Sequence, residues 1–379
     1  MTFADAGKGP SVTHLNGPRA LRSTEYPSAL RLINSVLRPG LSSAIEREYP
    51  LVLSRGNLDN MRVIVEDGEV LSHAAIYYSK VRTHDFTHSV GGVGSVATHP
   101  EYRGRGLATE VLKDCINVMR ESGCHLSVLW TQRRDFYRRL GYEAAGSEFL
   151  VRARMEDFVG IPCDCSIVEY APEHLPDIIR IHEQEPLRTE RTLQEYEAYL
   201  GIPNVEALLA MRVNKITAYA VMGKGEDFHC CVHEWGGEVA DLLCLVREFA
   251  RRATSGHVTI LLPASETPLV HLLRRMRLPA VFEYLAMMKV INLEGVSSAV
   301  GDYVSARTGR EFQIRRRGEG FSVCLGKEDV TLDDERKLVR LLFGPDAPSS
   351  VVTGFSSRIL HALDACFPIP LFIWGLDSV

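Results

Sequence analysis

No apolar run in this chain of 379 residues reaches the roughly 18 to 20 residues that span a bilayer. The nearest, Cys366 to Leu376, is short and carries Pro368 and Pro370. Met1 to Pro10 has no apolar core, so no secretory signal is expected and residues 1–12 read as a loose tail. An excess of positive charge is also missing. The net charge is −5, which excludes a nucleic-acid binder that works by bulk charge. The short run Arg315-Arg316-Arg317 reads as a solvated strand rim. Nine cysteines, an odd number scattered over a long chain, predict reduced thiols rather than a disulfide framework. The expectation is a cytoplasmic protein with neither membrane nor nucleic acid as partner. His229, Cys231 and His233 would share one face of a strand, but no fourth ligand stands nearby and no metal site is expected.

What is present is core material. Hydrophobic residues make up 45% and charged residues 24%, over a length that suits two or three domains. Residues 13–160 alternate strand and helix patterns. A helical stripe runs through Leu30, Ile33, Val36 and Leu37. Strands at Met61–Val65 and Val70–Tyr78 flank the turn signal Glu66-Asp67-Gly68-Glu69. Val93–Ala97 is a strand, Leu107 to Arg120 a helix, Leu126–Trp130 a strand, and Arg134 to Leu140 a short helix. A last strand is expected near Phe149–Ala153. Residues 161–293 repeat this plan, closing with Val281 to Ile291. Residues 294–379 form a third unit of strands and helices, with segments at Glu311–Arg315, Gly320–Leu325 and Asp333–Phe343, a final helix at Arg358–Phe367, and a packed terminus.

The stretch Arg103-Gly104-Arg105-Gly106-Leu107-Ala108 joins a strand to a helix start. Free backbone N–H groups there point one way, and the helix dipole adds partial positive charge. Gly104 and Gly106 keep side chains away from an approaching phosphate, while Arg103 and Arg105 add full charge. A diphosphate-bearing ligand is the expected occupant. The second repeat has His233-Glu234-Trp235-Gly236-Gly237-Glu238 at the corresponding place. Its acidic residues predict a copy without cofactor.

Val96 to Tyr142 resembles the GNAT N-acetyltransferases. Arg103, Gly106 and Ala108 satisfy their cofactor pattern [Q/R]-x-x-G-x-[G/A], and Phe136-Tyr137-Arg138-Arg139-Leu140-Gly141-Tyr142 matches their aromatic helix ending in Gly-aromatic. The whole chain resembles the enhanced intracellular survival (Eis) subfamily. The degenerate repeat, Arg188-Thr189-Glu190-Arg191, Met287 to Leu293 and the Trp374-to-Val379 ending carry that resemblance. It implies an α/β (α+β) fold of tandem GNAT-like domains, 13–160 catalytic and 161–293 degenerate, with a sterol-carrier-protein-like domain at 294–379. It also implies a homo-oligomer, for example a hexamer.

By that resemblance acetyl-CoA is the co-substrate and the reaction is transfer of acetyl to a primary amine, on a small molecule or a lysine side chain. Backbone at Val96, Ala97 and Thr98 would pair with the pantetheine arm. The amides of Gly104, Arg105, Gly106, Leu107, Ala108 and Thr109 would take the pyrophosphate, helped by Arg103. Tyr137 stands where the family has its general acid, and a phenol remains protonated at pH 7. The N–H near Val96 is the oxyanion donor. For the base, the Val379 carboxylate is the subfamily's choice, with a water relay or Glu25 as alternatives. His99 reads as a loop histidine. Trp130, Gln132 and Arg133 depart from the family, with Trp130 able to narrow the acceptor channel. A non-catalytic acyl-CoA-binding or lipid-carrier protein is the competing function.

Overall fold

A computed structural model describes residues 15–41, 43–83, 85–265 and 267–379; the expected tail at 1–12 lies outside them. The first half opens with strand β1 (Asn16–Ala20), helices α1 (Tyr26–Leu37) and α2 (Ile45–Glu48), then β2 (Met61–Glu66) and β3 (Glu69–Arg82). Pro27 begins α1, where its missing N–H costs nothing, and Ala29, Leu32 and Ile33 form its buried stripe. Asp67 and Gly68, with φ of 49° and 84°, make the tight β2–β3 turn. Strand β4 (Thr87–Thr98) leads to α3 (Leu107–Glu121), followed by β5 (Leu126–Leu129), α4 (Arg134–Arg138), β6 (Glu143–Ala145) and β7 (Glu148–Arg154). Helix α3 buries Leu107, Val111, Leu112, Cys115, Ile116 and Met119 on one face. Each such aliphatic side chain contributes roughly 1.5–3 kcal/mol on burial.

The second half repeats the pattern: β8 (Ser166–Glu169), α5 (Leu175–His182), β9 (Arg188–Glu190), α6 (Leu193–Leu200), β10 (Glu206–Arg212), β11 (Lys215–Lys224), β12 (Asp227–Gly237), α7 (Val239–Arg252), β13 (His257–Pro263), α8 (Pro268–Arg275), β14 (Ala280–Glu283) and β15 (Ala286–Val290). The third unit is α9 (Leu293–Thr308), the antiparallel sheet β16 (Phe312–Arg317), β17 (Gly320–Leu325), β18 (Glu328–Leu332), and helices α10 (Glu335–Phe343), α11 (Pro348–Val351) and α12 (Ser357–Asp364). No helix among the described residues is long and apolar enough to cross a membrane.

Sheet membership crosses the boundaries read from sequence. The first sheet runs β1-β2-β3-β4-β5-β15-β6, and β9 pairs with the far end of β3. The second runs β14-β7-β13-β12-β11-β10-β8. The halves therefore exchange strands. β15 inserts between β5 and β6, pairing Met287 with both Leu129 and Ala144. β7 inserts between β13 and β14. The expected strand at Val281 to Ile291 is accordingly two strands, one for each sheet. Residues 13–160 alone would lack β15 and leave β5 and β6 without a common neighbour.

The thiols also differ from expectation. Cys163 and Cys244 form a disulfide, with Cα atoms 5.8 Å apart and 81 residues between them in sequence. It ties the segment after β7 to α7. The other seven cysteines are free. An odd count over a long chain cannot reveal one pair that the fold brings together.

Candidate active site

Strands β4 and β5 run parallel and pair only from Val90 to Gly92 against Leu126 to Val128. Beyond Gly92, β4 continues to Thr98 without β5. On its other side, His73 pairs with Ala97 and Ala75 with Gly94, so β4 has one extra residue there. Ser95, at φ 51°, lies in this bulge. Ser95 and Val96 thus have no Cα partner on β3, and β4 presents a free backbone edge toward the splay.

A cavity of about 810 Å³ occupies that splay. It is lined by Val96 and Thr98 from β4, by Arg103, Gly104, Gly106, Leu107, Ala108 and Thr109, and by Tyr137 on α4. Val36 and Leu37 close it from α1, and Arg133, Phe136 and Arg139 from the α4 side. Of the residues expected around a cofactor, Ala97 and Arg105 are not in its wall. Ala97 is buried in the core beneath α1, and the Arg105 guanidinium lies 4.7 Å from the centre of the Tyr102 ring.

Gly106 is the N-cap of α3, at φ 84° and ψ −3°. Gly104 has φ 78°. A Cβ at either position would meet no atom within 4 Å, so conformation and the open approach, not crowding, call for glycine. The first-turn amides of α3 have no internal acceptor and face a cavity rimmed by Arg103, Arg133 and Arg139. This is an anion cradle, and it fits a diphosphate. Among the described residues no cluster of three His, Cys, Asp or Glu could hold a metal. His229 is exposed and His233 buried against the Gly223 carbonyl, because positive φ at Phe228 and Cys230 breaks the alternation of β12.

Tyr137 is buried, with its ring 5.0 Å from Phe136 and 6.1 Å from Tyr142. Burial pushes its phenol up to about 12, while Arg133 pulls the other way. The hydroxyl stays protonated at neutral pH, and Tyr137 lines the cavity.

Val379 does not line that cavity. It packs against β4, where a Cβ on Gly92 would stand 2.8 Å from its side chain and one on Gly94 would stand 2.7 Å from its carboxyl carbon. Two glycines at i and i+2 of one strand open a seat for the terminal residue. That spacing was the available sequence signal. Glu25, the alternative base, is held in a two-point ion pair by Arg19 at 2.7 and 2.9 Å. The Arg19 hydrogen bonds hold its carboxyl below the usual range, so it is a poor proton acceptor. His99 stacks edge-on with Tyr102, and Trp130 and Gln132 stand outside the cavity wall.

The corresponding place in the second repeat differs from the acidic turn expected there. Glu234 is not in a turn. It lies inside β12, fully buried, and receives Arg191 Nη1 at 2.9 Å and Nη2 at 2.6 Å. One residue, Glu238, links β12 to α7, so there is no glycine turn. β12 and β13 pair at Cys231 and Val232, and just beyond them the Trp235 indole donates to the Leu261 carbonyl at 3.0 Å. Trp374 meets the Trp235 ring edge-on at 5.1 Å.

Burial opposes charge on Glu234, yet Arg191 brings its carboxyl down to about 2. Its ordinary value is 4.5, so this pairing stabilises the fold above about pH 4.5 and is lost as pH falls toward 2. The urea midpoint is expected to fall across that window, and to fall less steeply in Glu234→Gln, which removes one titrating carboxyl.

Residues 18–145 match the family described as acetyltransferase (GNAT) domain. This part of the chain is a GNAT acetyltransferase domain. Across nearly its full length the chain has the fold of several solved structures. A GCN5-related N-acetyltransferase from Kribbella flavida shares 16% identity at a TM-score of 0.69, covering 97% of this chain and 100% of that one. One from Anabaena variabilis shares 14% at 0.69, with the same coverage. Eis1 from Mycobacterium abscessus shares 14% at 0.66, again with 97% and 100% covered. No curated protein sequence matches the chain. The GNAT domain holds the whole β4–α3–α4 site, although its sheet is completed by β15 and β9 from outside the matched residues.

Proposed function

We propose that the chain transfers acetyl from acetyl-CoA to a primary amine at the cavity between β4 and α4, one site per chain. A single observation carries this reading: Tyr137 borders the same cavity as the free edge of β4 and the glycine start of α3. The edge from Val96 to Thr98 suits an extended amide-bearing arm, which would pair as an added strand. The amides from Gly104 to Thr109 suit the pyrophosphate, with Arg103 of the cavity wall as charge partner and Arg105 turned onto the Tyr102 ring. When bound, acetyl-CoA supplies an acetyl thioester. The acceptor nitrogen forms the new C–N bond as the C–S bond breaks. The N–H near Val96, in the bulge, stabilises the oxygen that gains charge. Tyr137 donates a proton to the departing sulfur. The Val379 carboxylate accepts a proton from the amine. The third unit, read as sterol-carrier-like, serves here to deliver that terminus.

Tyr137→Phe tests the acid. It removes one oxygen from a site where Phe136 and Tyr142 retain the packing. The expected result is a fall in kcat of about 100-fold, with the KM for acetyl-CoA held, since proton transfer is lost and binding is not. Thiol release at the wild-type rate with every active amine would remove Tyr137 from the mechanism.

A further inference from the structure

Lys224, at the end of β11, is fully buried. An ammonium in such a place is costly unless every donor is used. Its Nζ lies 3.1 Å from the Gly375 carbonyl, 3.1 Å from that of Leu376, 2.6 Å from that of Ser378 and 3.1 Å from Ser378 Oγ. All four acceptors belong to the last five residues of the chain. The Tyr49 ring lies beneath the ammonium, 4.6 Å from its centre.

The same segment is held elsewhere. Arg191 Nε and Nη2 bind Asp377 at 2.8 and 2.6 Å. The Trp374 indole donates to the Leu187 carbonyl at 3.0 Å. Gly375 lies so close to His233 that a Cβ would stand 2.5 Å from its ring. Those contacts fix residues 374 to 377. Lys224 alone among them reaches the Ser378 carbonyl, whose carbon is bonded to the nitrogen of Val379. Burial draws the ammonium down to about 7, against the pull of Asp377 and Asp227 and with the push of Arg191. A core built only for stability would place an apolar side chain here.

We propose that Lys224 is the positioning residue of the chain terminus, gathering the carbonyls of Gly375, Leu376 and Ser378 so that Val379 is seated with its side chain on Gly92 and its carboxylate on Gly94. The proposal rests on the reading of that carboxylate as the base. It assigns the β11 end of the second repeat a task in a site formed by the first. Lys224 touches neither the cavity nor the reacting atoms. Its effect is on geometry, and a displacement of about 1 Å at a reacting group is enough to cost 100-fold in rate.

Two readouts on the full chain test it. The first is release of valine by carboxypeptidase from folded protein, followed by mass spectrometry. The second is the split between kcat and the KM for acetyl-CoA in a thiol-release assay. Lys224→Met is expected to release Val379 at least about tenfold faster than wild type and to lower kcat at least about tenfold, with the KM held within about twofold. If Lys224→Met does not fold, Lys224→Gln, which keeps a shorter donor, is judged by the same readouts and is expected to release Val379 at least about threefold faster than wild type and to lower kcat at least about threefold. Valine release at the wild-type rate would overturn the proposal. So would faster release with unchanged kcat in an enzyme that loses activity when Ser378 and Val379 are deleted. Full activity after that deletion would instead overturn the base reading, and the valine-release arm would still judge Lys224.

Discussion

Gly106→Asp is expected to weaken acetyl-CoA binding by about 1,000-fold, roughly 4 kcal/mol, while leaving the fold intact. The physical grounds for the two halves of that statement are separate. Gly106 is the N-cap of α3 in the left-handed region, where a side chain costs about 1–2 kcal/mol, less than a typical fold's stability. Aspartate tolerates positive φ better than most side chains, and its Cβ would enter open space. The helix should therefore persist. The same carboxylate would occupy the anion cradle. It would compete for the α3 amides and repel a diphosphate, removing several charge-assisted hydrogen bonds worth about 1.5–3 kcal/mol each. Calorimetric titration with acetyl-CoA, beside a thermal melt, checks both halves. Unchanged affinity would mean that the cofactor binds away from α3.

Deleting Ser378 and Val379 is expected to lower kcat by about 1,000-fold with little change in the KM for acetyl-CoA, the signature of a lost base rather than lost binding. The deletion also removes two acceptors of Lys224 and the residue seated on Gly92 and Gly94. It leaves the α3 cradle and Tyr137 untouched, because Val379 is not in the cavity wall. Raising pH should partly restore the rate of the truncated chain, since a larger fraction of the acceptor amine is then already neutral. Steady-state kinetics against pH would measure this. Full activity after deletion would hand the base role to water.

The site was legible where it is local. Arg103 to Ala108 and Phe136 to Tyr142 lie within 40 residues, and short-range pattern was enough to join them. The packed terminus was legible from Trp374 to Leu376. What escaped depends on partners far along the chain. Nothing in Met287 to Val290 tells which sheet it enters, since a strand buried on both faces reads the same in either. Helix α9 was missed because only Val296, Val300 and Val304 mark its buried side, with glycine and serine between them. Glu234 looked like a surface repellent because its neutralising partner, Arg191, lies 43 residues away. Nothing local marks Lys224, since its four acceptors lie more than 150 residues downstream.

The second repeat carries Glu234 paired with Arg191 inside β12, not exposed in a turn. Its role, together with the third unit, is to carry β15 into the first sheet and the terminus to β4. The catalytic claim then rests on one cavity.

The most direct test of that claim is a thiol-release assay with acetyl-CoA over a panel of primary amines, run side by side on wild type and Gly106→Asp. Amine-dependent release of CoA thiol by wild type, absent from the Gly106→Asp chain, is the predicted result. Tight acetyl-CoA binding with no thiol release for any amine would contradict it and favour a binding module, and equal release by both chains would place the chemistry outside the β4–α3 cavity.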